Sequence, residues 1–125
     1  MLTTGLIEVI LYVQDMNKQV AFYRDNFELP VLYPAGLADY SQEVWVVLDT
    51  GTCKLALHGG GQKRPGDNTP MLVFGVADIH ATRTILLARG VQLQEVFSAA
   101  PGVWVCHGVD AEGNPLAIEA HSKDR

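Results

Sequence analysis

The sequence predicts an α+β protein built from two similar βαβββ modules that form a curved mixed sheet around a cleft. Three observations predict this. Apolar segments suited to strands alternate with two segments of helical period. The order strand, helix, strand, strand, strand occurs twice. Short sequence matches also recur between the halves at nearly constant separation. The predicted single domain covers residues 1–125, with module one at 6–58, a linker at 59–70 and module two at 71–121.

Residues 6–13 are rich in β-branched and apolar side chains and read as a buried strand. Asp15 follows as an N-cap, because its carboxylate accepts from the free amides of a first helical turn. Met16, Val20, Tyr23 and Phe27 then recur at helical spacing, with Lys18, Gln19, Arg24 and Asp25 on the other faces. Pro30 stops that pattern, and Val31–Tyr33 supplies a short strand. A loop over 34–41 leads to strands at 43–48 and 52–58, joined by a tight turn at Asp49-Thr50-Gly51.

The linker is rich in Gly and Pro and propagates no regular structure. It is no phosphate loop: the Gly-Lys-Ser/Thr ending before a helix is absent, and Pro65 and Pro70 flank the site. Module two opens with an apolar strand at 71–76. Asp78 caps a helix carrying Ile79, Thr82 and Leu86 on one face, which Gly90 ends. Strands follow at 91–97 and 103–109 around a turn at 99–102, and Glu112-Gly113-Asn114 turns into a last strand at 115–120. The tail from Ser122 is polar.

Two local matches support duplication. Val13-Gln14-Asp15-Met16 corresponds to Val76-Ala77-Asp78-Ile79 at a shift of 63 residues. Asp49 with Leu55-Ala56-Leu57-His58 corresponds to Asp110 with Leu116-Ala117-Ile118-Glu119 at a shift of 61, so one small deletion separates the anchors.

A chain of 125 residues, 48% hydrophobic and 18% charged, is long and apolar enough to bury a core. The net charge of −5 argues against a nucleic-acid partner, since Lys63-Arg64 and the basic residues of the tail make no phosphate-binding cluster. No apolar run is long enough to span a membrane, and no leader pattern opens the chain. Cys53 and Cys106 stand far apart and outside any C-x-x-C motif; the alternatives are a single disulfide and two reduced thiols half-buried in strands, the second fitting the cytoplasmic protein expected here.

Glu8-Val9-Ile10-Leu11-Tyr12-Val13-Gln14-Asp15, followed by Ala21-Phe22-Tyr23, resembles the opening of the vicinal oxygen chelate superfamily. That group holds glyoxalase I, extradiol dioxygenases, fosfomycin-resistance transferases and bleomycin-resistance binding proteins. The ending Asp110-Ala111-Glu112-Gly113-Asn114-Pro115-Leu116 is similar to the family's Asp-Pro-x-Gly-Asn turn. The resemblance covers nearly the whole chain. It implies the glyoxalase/bleomycin-resistance-like fold of paired modules and, commonly, a homodimer.

Metal-using members of that family carry four ligands at equivalent strand positions, usually His, Gln or Glu. Here the resemblance places them on Glu8, Ala56, Met71 and Ala117. Only Glu8 offers a suitable donor for a hard divalent cation. A displaced site is the alternative. Side chains alternate along a strand, so His58 shares a face with Ala56 and Glu119 with Ala117. Glu8, His58 and Glu119, with His121 as a fourth group, then form a divalent metal site shifted by about 6.6 Å along the strands. The competing reading leaves His58 and Glu119 at the cleft rim, hydrated or contacting a ligand.

Alternation puts Glu8, Ile10 and Tyr12 on the cleft face of the first strand, and Val9, Leu11 and Val13 beneath the helix. Met71, Val73 and Gly75 line the matching face of module two. Tyr40, Trp45 and Trp104 are candidates either for flat ligand contacts or for the core. His80 reads as a solvated helix residue, while His107 fits a cleft or a sheet edge. Acidic groups at the rim favour a cationic or hydrogen-bond-donating ligand over a phosphorylated one. The sequence thus points to a cofactor-free small-molecule-binding protein whose ligand meets Glu8, Tyr12, His58, Met71 and Glu119. The rival is a lyase, isomerase or dioxygenase using the displaced metal, and a third reading is a structural or regulatory dimer with a vestigial cleft.

Overall fold

Among the described residues two α-helices, one π-helical turn and nine strands carry out the predicted α+β plan, and each half of the chain builds its own mixed sheet. The structure, a computed structural model, describes residues 2, 4, 6–60 and 70–122. Most of the expected linker, with Lys63-Arg64, and the last three residues of the tail lie outside the described residues. The chain divides into two compact units, Met1–Pro65 and Gly66–Arg125. Among the described residues no helix is long and apolar enough to cross a membrane.

The first unit runs β1 (Glu8–Tyr12), α1 (Met16–Ala21), β2 (Val31–Tyr33), β3 (Trp45–Asp49) and β4 (Lys54–His58). Its strands lie in the order β1-β4-β3-β2, with β1 parallel to β4 and the other pairs antiparallel. Asp15 caps α1 as expected, accepting from the Lys18 amide at 3.1 Å. The helical spacing continues to Phe27, but the α-helix stops at Ala21 and widens into a π-helical turn over Phe22–Asn26. That turn accompanies a ring cluster: Phe22, Tyr23 and Phe27 have centroids 5.0 to 6.2 Å apart. Across the sheet, Leu11, Leu57 and Val46 form one register row beneath the helix, and Val9, Leu55 and Leu48 form the next. All but Val9 are buried, together with Met16, Val20 and Tyr23. Truncating one such leucine to alanine typically costs about 2–5 kcal/mol.

The second unit runs β5 (Leu72–Gly75), α2 (Ile79–Ala88), β6 (Gln92–Leu93), β7 (Phe97–Ala100), β8 (Val103–Val109) and β9 (Pro115–His121). The order β5-β9-β8-β6 repeats the first sheet, with β5 parallel to β9. Asp78 repeats the role of Asp15, accepting from the Ala81 amide at 3.0 Å. At the other end, Gly90 at φ +89° lets its own amide reach Leu87 O and the Val91 amide reach Leu86 O. This double bond closes the helix as a Schellman motif, and both Leu86 and Val91 are buried.

One expected strand is broken. Instead of a continuous strand over 91–97, two short pieces, β6 and β7, pair in succession with β8. Between them the Gln94 carbonyl accepts from Arg83 Nε at 2.9 Å and from Cys106 Sγ at 3.1 Å. Side chains have taken the acceptor a ladder would use, so the edge bulges there. The expected turn at 99–102 shortens accordingly, because β7 runs to Ala100.

The repeat anchors Asp49 and Asp110 do the same work at the two hairpins. Asp49 Oδ1 accepts from the Gly51 amide at 2.7 Å, and Asp110 Oδ1 from the Glu112 amide at 2.8 Å. Asp110 goes further: its carboxylate also accepts from the Asn114 amide at 2.9 Å and from Asn114 Nδ2 at 3.0 Å. Both residues are buried. Asp110→Ala leaves these buried donors unpaired and is expected to cost about 2–4 kcal/mol in urea unfolding, while Asp49→Ala, at a more exposed turn, costs less than half as much. Equal losses would show that burial at the β8–β9 turn carries no weight.

Candidate functional site

In each unit the helix covers one sheet face and the opposite face carries the unusual side chains. On β1, Leu11 is buried, as is Val13 just beyond the strand, whereas Ile10 and Tyr12 are each 42% exposed. Register then places three rows on the helix-free face of the first sheet: Glu8-Lys54-Asp49, Ile10-Ala56-Val47 and Tyr12-His58-Trp45. The last row is aromatic throughout. The Tyr12 and His58 rings lie 5.3 Å apart and tilted, and Trp45 meets His58 edge-on at 5.7 Å.

His58 is held from behind. Its Nδ1 accepts from the Gly60 amide at 2.8 Å. A ring nitrogen that accepts carries no proton, so neutral His58 carries its proton on Nε2 and presents a donor there. Gly60 was not legible as a site residue from sequence. The signal was its position two residues after His58, where the chain turns back on the ring.

On the second sheet the helix-free face contains Val73, Ala117 and His107 in one row, and Gly75, Glu119, Val105 and Phe97 in the next. Glu119 Oε2 and His121 Nε2 are 2.5 Å apart, a short charge-assisted contact when the ring is protonated. The pair borders an open depression of about 500 Å³, lined also by Val73, Gly75 and Val76. His107 stands on the central strand β8, with its ring 5.5 Å from Phe97, so it is not a sheet-edge residue. Met71 precedes β5 and is 42% exposed.

Among the five sequence-predicted residues, Glu8, Tyr12 and His58 belong to the first unit, and Met71 and Glu119 to the second. Tyr12 and His58 meet directly. Glu8 lies across the parallel pair from Lys54, so its charge is opposed on the same face. Two aromatic candidates take other places. Tyr40 is buried, its hydroxyl donating to Pro34 O at 2.8 Å while its amide donates to Asn17 Oδ1 at 2.9 Å. Trp104 pairs with Ala120 on the face opposite Glu119, and borders a depression with His80 at the start of α2.

The donors do not fit the four-ligand metal site implied by the resemblance. Ala56 and Ala117 are buried methyl groups with no lone pair, and Met71 offers only a thioether. Among the described residues no three His, Cys, Asp or Glu side chains are grouped to hold a metal ion. His58 Nδ1 is occupied by Gly60, and Glu119 by His121.

The family model described as the Glyoxalase/Bleomycin resistance protein/Dioxygenase superfamily matches residues 5–102. No curated protein matches the chain. Among solved structures, TnmS3, an antibiotic binding protein from Streptomyces sp. CB03234, is similar with a TM-score of 0.80 at 19% identity, covering 98% of this chain and 99% of that one. A lactoylglutathione lyase from Agrobacterium tumefaciens gives 0.73 at 19% identity over 96% of each chain. A protein of unknown function from Agrobacterium tumefaciens str. C58 gives 0.74 at 23% identity over 98% of each. At such identities the likeness is one of fold.

The two free thiols differ in reactivity for a physical reason. Cys106 is fully buried, and burial pushes its thiol above the usual range, against the opposing pull of Arg83. Cys53 is half-buried. Titration of the folded chain with an aromatic disulfide reagent at mildly alkaline pH should consume one thiol quickly, and a second only in denaturant. Two fast thiols in the native protein would contradict the burial of Cys106.

Proposed function

The chain belongs to the Glyoxalase/Bleomycin resistance protein/Dioxygenase superfamily, and from that premise we propose that it is a small-molecule-binding member without the usual metal site. One observation carries the reading: three of the four positions where metal-using relatives coordinate are methyl groups or a thioether, on apolar and aromatic sheet faces where Ile10, Tyr12, Val73 and Phe97 remain part-exposed. Such a surface gains affinity by burying ligand area and by ring contacts rather than by Lewis-acid chemistry. Ligand contacts are assigned to Glu8, Tyr12 and His58 in the first unit, and to Met71 and Glu119 in the second.

The fold neighbour TnmS3 is an antibiotic binding protein, which supports a binding role for this fold. The rival enzyme, a lyase, isomerase or dioxygenase with a divalent ion on Glu8, His58 and Glu119, would require His58 to give up the Gly60 amide so that Nε2 could coordinate. We assign the protein to the cytoplasm, where its two unpaired thiols stay reduced. Exposed apolar residues on and beside the strands, including Ile7, Leu32, Tyr33 and Val44, support assembly as a homodimer.

Metal analysis of protein purified without chelator, followed by zinc, nickel, manganese and iron thermal-shift series, should give no stoichiometric ion and no stabilisation. A library of small organic compounds should include some that raise the unfolding temperature, and Tyr12→Ala should weaken their binding roughly tenfold. Stoichiometric metal that disappears in Glu8→Ala or His58→Ala would overturn the binder reading in favour of the enzyme.

A further inference from the structure

The helix-free face of the first sheet carries one row in which every side chain is a ring. Tyr12, His58 and Trp45 sit side by side on three adjacent strands, β1, β4 and β3. Two strand spacings make that row roughly 10 Å wide, about the length of three fused aromatic rings. The rings are inclined to one another, Tyr12 at 45° and Trp45 at 88° to His58, so a flat ligand stacks on one flanking ring and meets the other at an angle.

The polar group in the middle of the row has a defined sense. The Gly60 amide occupies His58 Nδ1, which leaves Nε2–H as the donor of the neutral ring. Among the described residues no protein acceptor is recorded for Nε2. The nearest carboxylate along β1, Glu8, stands four residues before Tyr12, about 13 Å along the strand, and so does not mark this row as a cation site. Gly60 also has a steric reason to be glycine: a Cβ there would lie 2.8 Å from His58 Cε1. Its backbone is not in the left-handed region, so the requirement comes from the ring and not from φ.

We infer that this row is a subsite for a planar, neutral aromatic ligand bearing a hydrogen-bond acceptor, which stacks on Tyr12, meets Trp45 at an angle and receives the His58 Nε2–H bond. Gly60 is the positioning residue that sets the ring and its tautomer. The inference rests on the binder reading and adds the ligand's class. It reverses the preference for cationic or hydrogen-bond-donating ligands that acidic residues alone imply.

The test uses the full chain and three probes: xanthone, xanthene (the same skeleton without the carbonyl) and the cation proflavine. Calorimetric titration should give xanthone an affinity three- to tenfold above xanthene. His58→Phe keeps a ring, so xanthene binding should persist while the xanthone advantage disappears. Gly60→Ala, checked for an unchanged unfolding temperature, should shrink that advantage too. Long-range nitrogen–proton spectra of the free protein should show His58 as the Nε2–H tautomer. An Nδ1–H tautomer, equal affinity for the two neutral probes, a preference that survives His58→Phe, or proflavine binding as tightly as xanthone would each overturn the inference. Screen hits that depend on Tyr12 but not on His58 would overturn it while leaving the binder reading intact. Failure of both neutral probes, with no Tyr12-dependent hit, would sink both.

Discussion

The parallel pairing of the first and last strand in each unit is the constraint on which the other features depend. A parallel pair cannot be closed by a hairpin, so the chain must cross over between β1 and β4, and between β5 and β9. In both units that crossover includes a helix, and the helix shields one face of the sheet. The rows Leu11-Leu57-Val46 and Phe74-Ile118-Cys106 lie on the covered side. With the one helix of each unit spent there, the opposite face has no helix to cover it. Alternation along β1 then turns a single strand into a boundary, with Leu11 in the core and Ile10 and Tyr12 largely in the open.

What an open face can do depends on the atoms it presents. Hard cations need oxygen or imidazole donors with free lone pairs. This chain supplies methyl groups at two of the four implied positions, and it commits the imidazole of His58 and the carboxylate of Glu119 to neighbours. The same two bonds that disfavour coordination make these groups directional. A histidine whose tautomer is set by a backbone amide is a donor of fixed sense, and a ring row around it offers area without charge. Binding energy on such a face comes from burial and stacking, with a hydrogen bond deciding among ligands of similar shape.

Local devices were legible in the sequence because they act over a few residues. Asp15 and Asp78 cap their helices, Gly90 ends one, and Asp49 and Asp110 fold back onto their own turns. Val31–Tyr33 and Val103–Val109 have the expected bounds as strands. Outcomes set by contacts distant in sequence were not legible. The strand expected at 91–97 breaks because Arg83 and Cys106, 11 and 12 residues away, take the Gln94 carbonyl. Tyr40, a candidate for either ligand contact or core, goes to the core, where Asn17, 23 residues earlier, accepts from its amide and Pro34 O accepts from its hydroxyl. No period or propensity carries that information.

By itself the sequence determined the class, the duplication, the cap residues and the face to which each β1 side chain belongs, since all of these follow from short-range chemistry and strand alternation. The resemblance carried by its motifs also put alanine at two of the four implied ligand positions. Only tertiary structure decided which rings share a row, since that depends on the β1/β4 and β4/β3 registers. Only tertiary structure, likewise, put Trp104 on the face opposite Glu119 and turned the Gly60 amide onto His58. Register and loop closure are set by the sum of many contacts, and no single stretch of the chain contains that sum.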